Sequence, residues 1–248
     1  MELGLDGKVA LVTGASRGIG RAISLALARE GAIVMLCARG REALDQVTAE
    51  VEKLGGTSAT IAADVSSVEG ASTAVRATLE RFGRIEILIN NAGKGSPKPL
   101  LELTEEDWRA SLELNLMSAV RLSQACIPHM RRQGGGRIIN ISSRVGREPD
   151  PYFAPYAAAK AALINFSKSL ANAFSKEGIL TNCIVPGLVR TEAVSEAAAR
   201  SASATGKTVD EVFEATLQKR PIPAGRLGEP EDVASLVVFL ASEHASWI

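Results

Sequence analysis

The 248 residues predict a single α/β domain, a parallel sheet with helices on both faces. Three observations carry that expectation. Short apolar runs alternate with helical stretches along the whole chain. Glycines follow the helical stretches where C-terminal caps belong, at Gly31, Gly55-Gly56, Gly83 and Gly178. The first apolar run passes directly into a glycine-rich turn and then a helix. No Pro/Ser-rich linker and no internal repeat interrupts the alternation, so residues 1–248 are read as one domain.

The first strand, 8–13, reads Lys-Val-Ala-Leu-Val-Thr, the near-continuous apolar pattern of a strand buried on both faces. Gly14-Ala15-Ser16-Arg17-Gly18-Ile19-Gly20 follows, and a helix over 18–30 shows apolar Ile23, Leu25, Ala26 and Leu27. Strand, glycine turn and helix start together make a phosphate site. Glycines admit close backbone approach, and the helix end offers unpaired N–H groups and a positive dipole. The spacing is Gly-x-x-x-Gly-x-Gly, not the Gly-x-Gly-x-x-Gly of the common dinucleotide fingerprint. Further strands fall at 32–38, 57–63, 85–90, 136–142 and 179–185. Further helices fall at 41–54, 68–82, 104–132, 154–175 and 230–241, Thr104 and Asp107 forming a capping-box variant at the start of the long one. Residues 191–225 are less regular and rich in Ala and Ser, with Glu192, Glu196, Asp210 and Glu211 scattered through them. They read either as a pair of helices serving as a lid over a cleft or as an ordinary surface excursion.

Composition narrows the partners. Acidic and basic residues balance at 28 each, which gives no footprint for nucleic acid or an anionic membrane surface. No run of about 18 apolar residues suggests a membrane span, and the chain enters its first strand without a signal-peptide pattern, so a cytoplasmic location is expected. Cys37, Cys126 and Cys183 read as reduced thiols, and His129 and His244 lack metal-ligand spacing, so no metal is expected.

The chemistry sits at Tyr156-Ala157-Ala158-Ala159-Lys160. Positions i and i+4 share a helix face. A cation beside a phenol favours the phenolate and lowers a pKa ordinarily near ~10, which suits acid–base work on an alcohol or carbonyl. Taken alone, the pair fits equally a surface tyrosine beside a solvated lysine.

With the other motifs in order, the chain resembles the short-chain dehydrogenase/reductase family from about residue 5 to its end, and most nearly the branch of 3-oxoacyl-(acyl-carrier-protein) reductases. The segment Thr13 to Gly20 matches the cofactor loop, with Gly14, Ser16, Arg17, Gly18, Ile19 and Gly20 as binding residues. Asp64-Val65 matches the adenine contact and Asn90-Asn91-Ala92-Gly93 the fourth-strand motif. Pro186-Gly187 with Val189 and Thr191 matches the nicotinamide-side motif. The resemblance implies a Rossmann-type doubly wound sheet of order 3-2-1-4-5-6, and a catalytic tetrad of Asn115, Ser143, Tyr156 and Lys160. The family's usual Ser-to-Tyr separation implies Ser143, thirteen residues before Tyr156, rather than Ser142, with Ser142 in support. In that tetrad Ser143 holds the carbonyl oxygen, Tyr156 transfers the proton, Lys160 lowers the phenol's pKa and grips the ribose, and Asn115 holds a water linking Lys160 to solvent. The family also includes non-catalytic nucleotide sensors, which typically lose tetrad residues.

The cofactor follows from charge. NAD-specific relatives carry an acid at the end of the second strand. Here Ala38 and Arg39 stand there, and Arg17 adds a second guanidinium. Two arginines and no carboxylate favour a 2′-phosphate, hence NADP, with NAD as the alternative. The expected substrate is a carbonyl or secondary alcohol, a 3-oxoacyl thioester first and a sugar or polyol second. An acidic acyl carrier protein would require basic residues beside the cleft, for which Arg131, Arg132 and Arg137 are candidates, although a solvated helix end explains them as well. Between Ser143 and Tyr156, Arg147 to Phe153 should wall the substrate cleft, and Tyr152 and Phe153 could contact substrate or simply pack. The resemblance also implies a homo-oligomer, tetramer or dimer, through the helices at 104–132 and 154–175. Leu122, Ala125, Leu163 and Phe166 serve either that contact or the sheet. It implies finally a seventh strand beyond Ile248, so the natural chain is expected to run on by roughly a dozen residues.

Overall fold

The computed structural model describes residues 2–248. Six strands, β1 (Val9–Thr13), β2 (Ile33–Ala38), β3 (Thr57–Ala62), β4 (Ile87–Asn90), β5 (Gly136–Ile141) and β6 (Ile179–Ile184), form one sheet in the order β3-β2-β1-β4-β5-β6. Every pairing is parallel, with Val9 opposite Ile33 and Ala10 opposite Ile87. Side-chain alternation divides β1 between two cores. Ala10 and Val12 face α1 (Gly18–Arg29), α2 (Arg41–Lys53) and α9 (Pro230–Ala241); Leu11 faces the layer of α3 (Val68–Phe82), α5 (Ser118–Arg132) and α6 (Ala154–Phe174). The order reverses between β1 and β4. In open parallel sheets the crevice at the carboxyl ends beside such a reversal is the binding site.

Two features bear on that crevice. The long helix expected over 104–132 is broken into α4 (Glu105–Leu112), a π turn at Glu113–Met117 and α5. The capping box at Thr104 and Asp107 is present as expected. Residues 191–225 fold as a helix pair, α7 (Glu192–Thr205) and α8 (Val209–Lys219), around a small core of Ala198, Phe213 and Leu227 separate from both sheet cores.

The helix faces also show which apolar positions the chain itself covers. Leu122 and Leu163 are each 1% exposed and so are covered within the chain itself, whereas Ala125 and Phe166 pack against the buried core and stay partly exposed. The outward faces carry a concavity of about 520 Å³ that includes Val145, Ala154, Ala158 and Ala161, and another of about 370 Å³ that includes Trp108, Leu112 and Leu116.

Candidate active site

The glycine loop is closed by contacts that tolerate no side chain. Gly14 has φ +64, and a Cβ on Gly20 would lie 2.1 Å from the Gly14 carbonyl oxygen. Asn91 Nδ2 donates to the Thr13 carbonyl at 2.9 Å. The Asn91 and Ala92 N–H groups both donate to Thr13 Oγ1, which itself donates to the Ile89 carbonyl. These bonds clamp the ends of β1 and β4 together. On the far side Thr191 covers the loop: a Cβ on Gly18 would meet its Cγ2 at 3.2 Å.

Two of the helices that open onto this crevice start without a side-chain cap. Ser67, Thr104, Thr191 and Thr208 cap α3, α4, α7 and α8 with side-chain oxygens, and Glu229 with Asp232 forms a capping box on α9. The first turns of α1 and α2 have no side-chain cap. Their free N–H groups and positive dipole ends suit an anion. Arg17 and Arg39 are both exposed and in no ion pair among the described residues; Arg17 is the residue before α1, and Arg39 precedes Gly40 at the start of α2. The residues present therefore fit a phosphorylated dinucleotide. Asp64 bonds inward, accepting from the Ser66 N–H at 3.0 Å and Ser66 Oγ at 2.7 Å. Those bonds, with Arg39 nearby, hold its carboxyl below the usual range. Val65 is buried and Ile19 packs against the core, so a ligand meets these two through backbone more than side chain.

The proposed tetrad comes from three elements. Ser143 follows β5 and Tyr156 and Lys160 lie on α6. The Ser143 side chain neighbours the Tyr156 phenol, its Oγ accepting the Val145 N–H at 3.4 Å, and Phe153 meets the Tyr156 ring edge-on with centroids 6.4 Å apart. Lys160, 2% exposed, donates from Nζ to the Ile141 carbonyl at 2.8 Å and lies 5.7 Å from the Tyr156 ring centroid. Burial pushes this ammonium down to about 8. Burial also pushes the Tyr156 phenol up, and it is the Ser143 hydroxyl that pulls it partly back. In this arrangement the Lys160 ammonium bonds a carbonyl rather than the phenol oxygen. Ser142 donates from Oγ to the Lys160 carbonyl at 2.8 Å, tying the end of β5 to α6.

Asn115 occupies the π turn, an irregularity that recurs at functional sites. Its Oδ1 accepts the Lys94 N–H at 3.0 Å and its Nδ2 donates to the Lys94 carbonyl at 3.1 Å. The side-chain amide is thus committed to the backbone of residues 94 and 111. It clamps Gly93–Gly95 onto the site: a Cβ on Gly93 would lie 3.2 Å from Lys160 Nζ, and one on Gly95 3.1 Å from Tyr156 Cδ1.

Pro186 accepts the Arg144 N–H at 2.8 Å, which ties the segment Pro186, Gly187 and Val189 to the strand end that carries Ser143. A buried polar chain beneath the site escaped the sequence reading. Asn90 Nδ2 donates to Asn140 Oδ1, and Asn140 Nδ2 to Ser167 Oγ, both at 2.8 Å. Its signal was an asparagine inside the apolar run Ile138-Ile139-Asn140-Ile141. Arg131, Arg132 and Arg137 are not beside the cleft of their own chain. They stand at the end of α5 and the start of β5, whereas Ser143 follows that strand's other end. Arg131 pairs with Glu177, and Arg132 bonds His129.

Residues 8–202 match the family model for short chain dehydrogenases. A 3-oxoacyl-(acyl-carrier-protein) reductase, FabG, of Vibrio cholerae is 39% identical over 99% of this chain and 94% of the relative. The 7alpha-hydroxysteroid dehydrogenase of Escherichia coli K12 is 34% identical over 100% of the chain and 92% of the relative. Among solved structures, L-sorbose reductase from Gluconobacter frateurii, complexed with NADPH and L-sorbose, superposes with a TM-score of 0.96 at 38% identity, covering 100% of this chain and 94% of that one.

Proposed function

The chain belongs to the short-chain dehydrogenase family and is an oxidoreductase acting on CH–OH groups; from that premise we propose that it interconverts a carbonyl and a secondary alcohol with NADP(H), using Asn115, Ser143, Tyr156 and Lys160. The observation that carries the reading is the meeting of a half-buried phenol, a neighbouring hydroxyl and a desolvated ammonium beside a crevice onto which two uncapped helix starts open. When bound, the dinucleotide supplies or accepts the hydride. Gly14, Ser16, Gly18, Gly20, Asn91, Ala92, Gly93 and Thr191 hold it, and Arg17 and Arg39 take its 2′-phosphate in a geometry that guanidinium suits. Ser143 fixes the carbonyl oxygen. Tyr156, kept protonated by burial, donates its proton to that oxygen in reduction and takes it back in oxidation. Lys160, whose pKa burial pushes down to about 8, exchanges protons with the phenol's surroundings. Asn115 holds the Gly93–Gly95 strand end against both.

A 3-oxoacyl thioester is the first substrate reading, supported by the FabG relatives. A sugar ketone is the second, supported by the TM-score of 0.96 to L-sorbose reductase. Self-association would use the outward faces of α4 to α6 around Trp108 and Ala158. No described helix is long and apolar enough to cross a membrane.

The test is NADPH oxidation against a short 3-oxoacyl thioester, L-sorbose and an aromatic ketone, in the wild type and Tyr156→Phe. Loss of the general acid should lower turnover by about 10²–10⁴-fold with NADPH affinity retained. Near-normal turnover in that variant refutes the assignment of Tyr156. NADPH binding with no turnover on any carbonyl favours the sensor reading.

A further inference from the structure

The helix pair α7–α8 is a small body of its own. Its neck is a backbone bridge between Val189 and Gly228, in which the Arg190 N–H donates to the Gly228 carbonyl at 2.7 Å and the Gly228 N–H to the Leu188 carbonyl at 3.0 Å. The Arg190 guanidinium lies over the Phe213 ring, 4.6 Å from its centroid, joining the neck to the pair's private core. Away from the neck, one polar side-chain contact joins residues 192–225 to the rest of the chain among the described residues. Arg220, at the end of α8, donates to the Asp150 carboxylate.

Asp150 lies seventy positions earlier, in the wall between Ser143 and Tyr156. Its side chain is 5% exposed and both oxygens are engaged: Oδ1 accepts the Tyr152 N–H at 3.0 Å, and Oδ2 takes Arg220. It thereby caps the short 3-10 turn Pro151–Phe153 that runs straight into α6. That turn reaches the chemistry. Phe153 packs edge-on against the Tyr156 ring, and the Tyr152 carbonyl accepts the Lys98 N–H at 2.8 Å, joining the wall to the segment that follows Gly95. A buried carboxylate that loses its only cation is left uncompensated, so this pair is worth more than a surface ion pair.

We propose that Asp150 and Arg220 are positioning residues: their ion pair docks the α7–α8 body onto the turn that supports Tyr156, so that the substrate cleft is assembled before the carbonyl arrives. This rests on the reading of α7–α8 and the 147–153 wall as the two sides of that cleft. With the pair broken, part of the carbonyl's binding energy goes to ordering the lid, which raises KM. The dinucleotide, held by the glycine loop and the neck, is unaffected.

The experiment compares Asp150→Asn, Arg220→Ala and the double variant. Asparagine keeps an oxygen for the Tyr152 N–H, so the turn's cap survives while the charge pair is lost. For each variant, KM and kcat for the active carbonyl are measured at saturating NADPH. NADPH affinity is measured by fluorescence, and tryptic cleavage at Arg200 and Lys207 is followed in the unliganded protein. The expected result is a KM raised about tenfold, kcat within about threefold, NADPH affinity within about twofold and cleavage faster by about tenfold, with the double variant no worse than either single one. Unchanged KM and cleavage in both single variants, or additive effects in the double, overturn the proposal. If no carbonyl is turned over by the wild type, the functional reading fails, while the cleavage rates and their non-additivity still decide the docking.

Discussion

The two sides of the crevice are built on opposite plans. The glycine-loop side is made of strand ends stitched by backbone and asparagine hydrogen bonds, with Gly20 so close to Gly14 that a methyl group has no room. The α7–α8 side has its own core, a two-residue neck and one ion pair at its far end. The first plan gives a fixed cradle for a cofactor of constant shape. The second gives a surface that can be replaced or moved without disturbing the sheet, which is where specificity among carbonyl compounds belongs.

The same substitution made on both sides would sharpen this contrast most. Gly20→Ala forces a Cβ to 2.1 Å from a backbone carbonyl oxygen and 2.5 Å from Asn91 Nδ2, so the loop must shift. NADPH affinity should fall by about 10²-fold or more, since overpacking costs about 1–3 kcal/mol before any lost cofactor contact is counted. Gly228→Ala at the neck meets nothing nearer than Val189 Cγ2 at 3.5 Å, an ordinary contact. Its effect on NADPH affinity should stay within about twofold. Equal losses measured by fluorescence titration would dissolve the distinction.

That cradle was legible in the sequence because its demands are local. Gly14, Gly18 and Gly20 are required by backbone approach, and Tyr156 and Lys160 by helical spacing, so residue type and interval announce them. What was not legible is tertiary. The π turn at Asn115 arises where its amide finds the backbone of Lys94, twenty-one residues away. The Asn90–Asn140–Ser167 chain joins three elements. Periodicity placed Leu122 and Leu163 on apolar faces but could not say that the chain itself, rather than another subunit, covers them. The basic cluster at Arg131, Arg132 and Arg137 was read from its charge, and only the strand's direction shows that it lies away from its own cleft.

A smaller effect tests the outer rim of the cradle. Arg39 stands before the uncapped start of α2, and no carboxylate ends β2. Arg39→Ala should reduce the preference for NADPH over NADH by about tenfold, the scale of one lost charge-assisted contact with phosphate. Measured kcat/KM values for the two coenzymes check this. An unchanged ratio would assign the phosphate to Arg17 and the α1 end alone.

The smallest expected effect concerns the seam between the two sides, where Lys160 is buried. Folding lowers its pKa from 10.5 to about 8. Below pH 8 the ammonium is protonated in both states and the folded protein carries the full desolvation penalty. Above it the folded state releases a proton that the unfolded chain keeps, so stability rises with pH. The clean window ends near pH 9, because Cys37 and Cys126, pushed up to about 12 by burial, act in the opposite direction once the unfolded thiols ionise. Between pH 8 and 9 the wild type should therefore gain up to ~1 kcal/mol relative to Lys160→Met, about 2–4 °C in Tm for a chain of this size. Parallel melting curves across that window would mean that Lys160 is hydrated in the folded state, and that the site is as open on its catalytic side as it is at the α7–α8 rim.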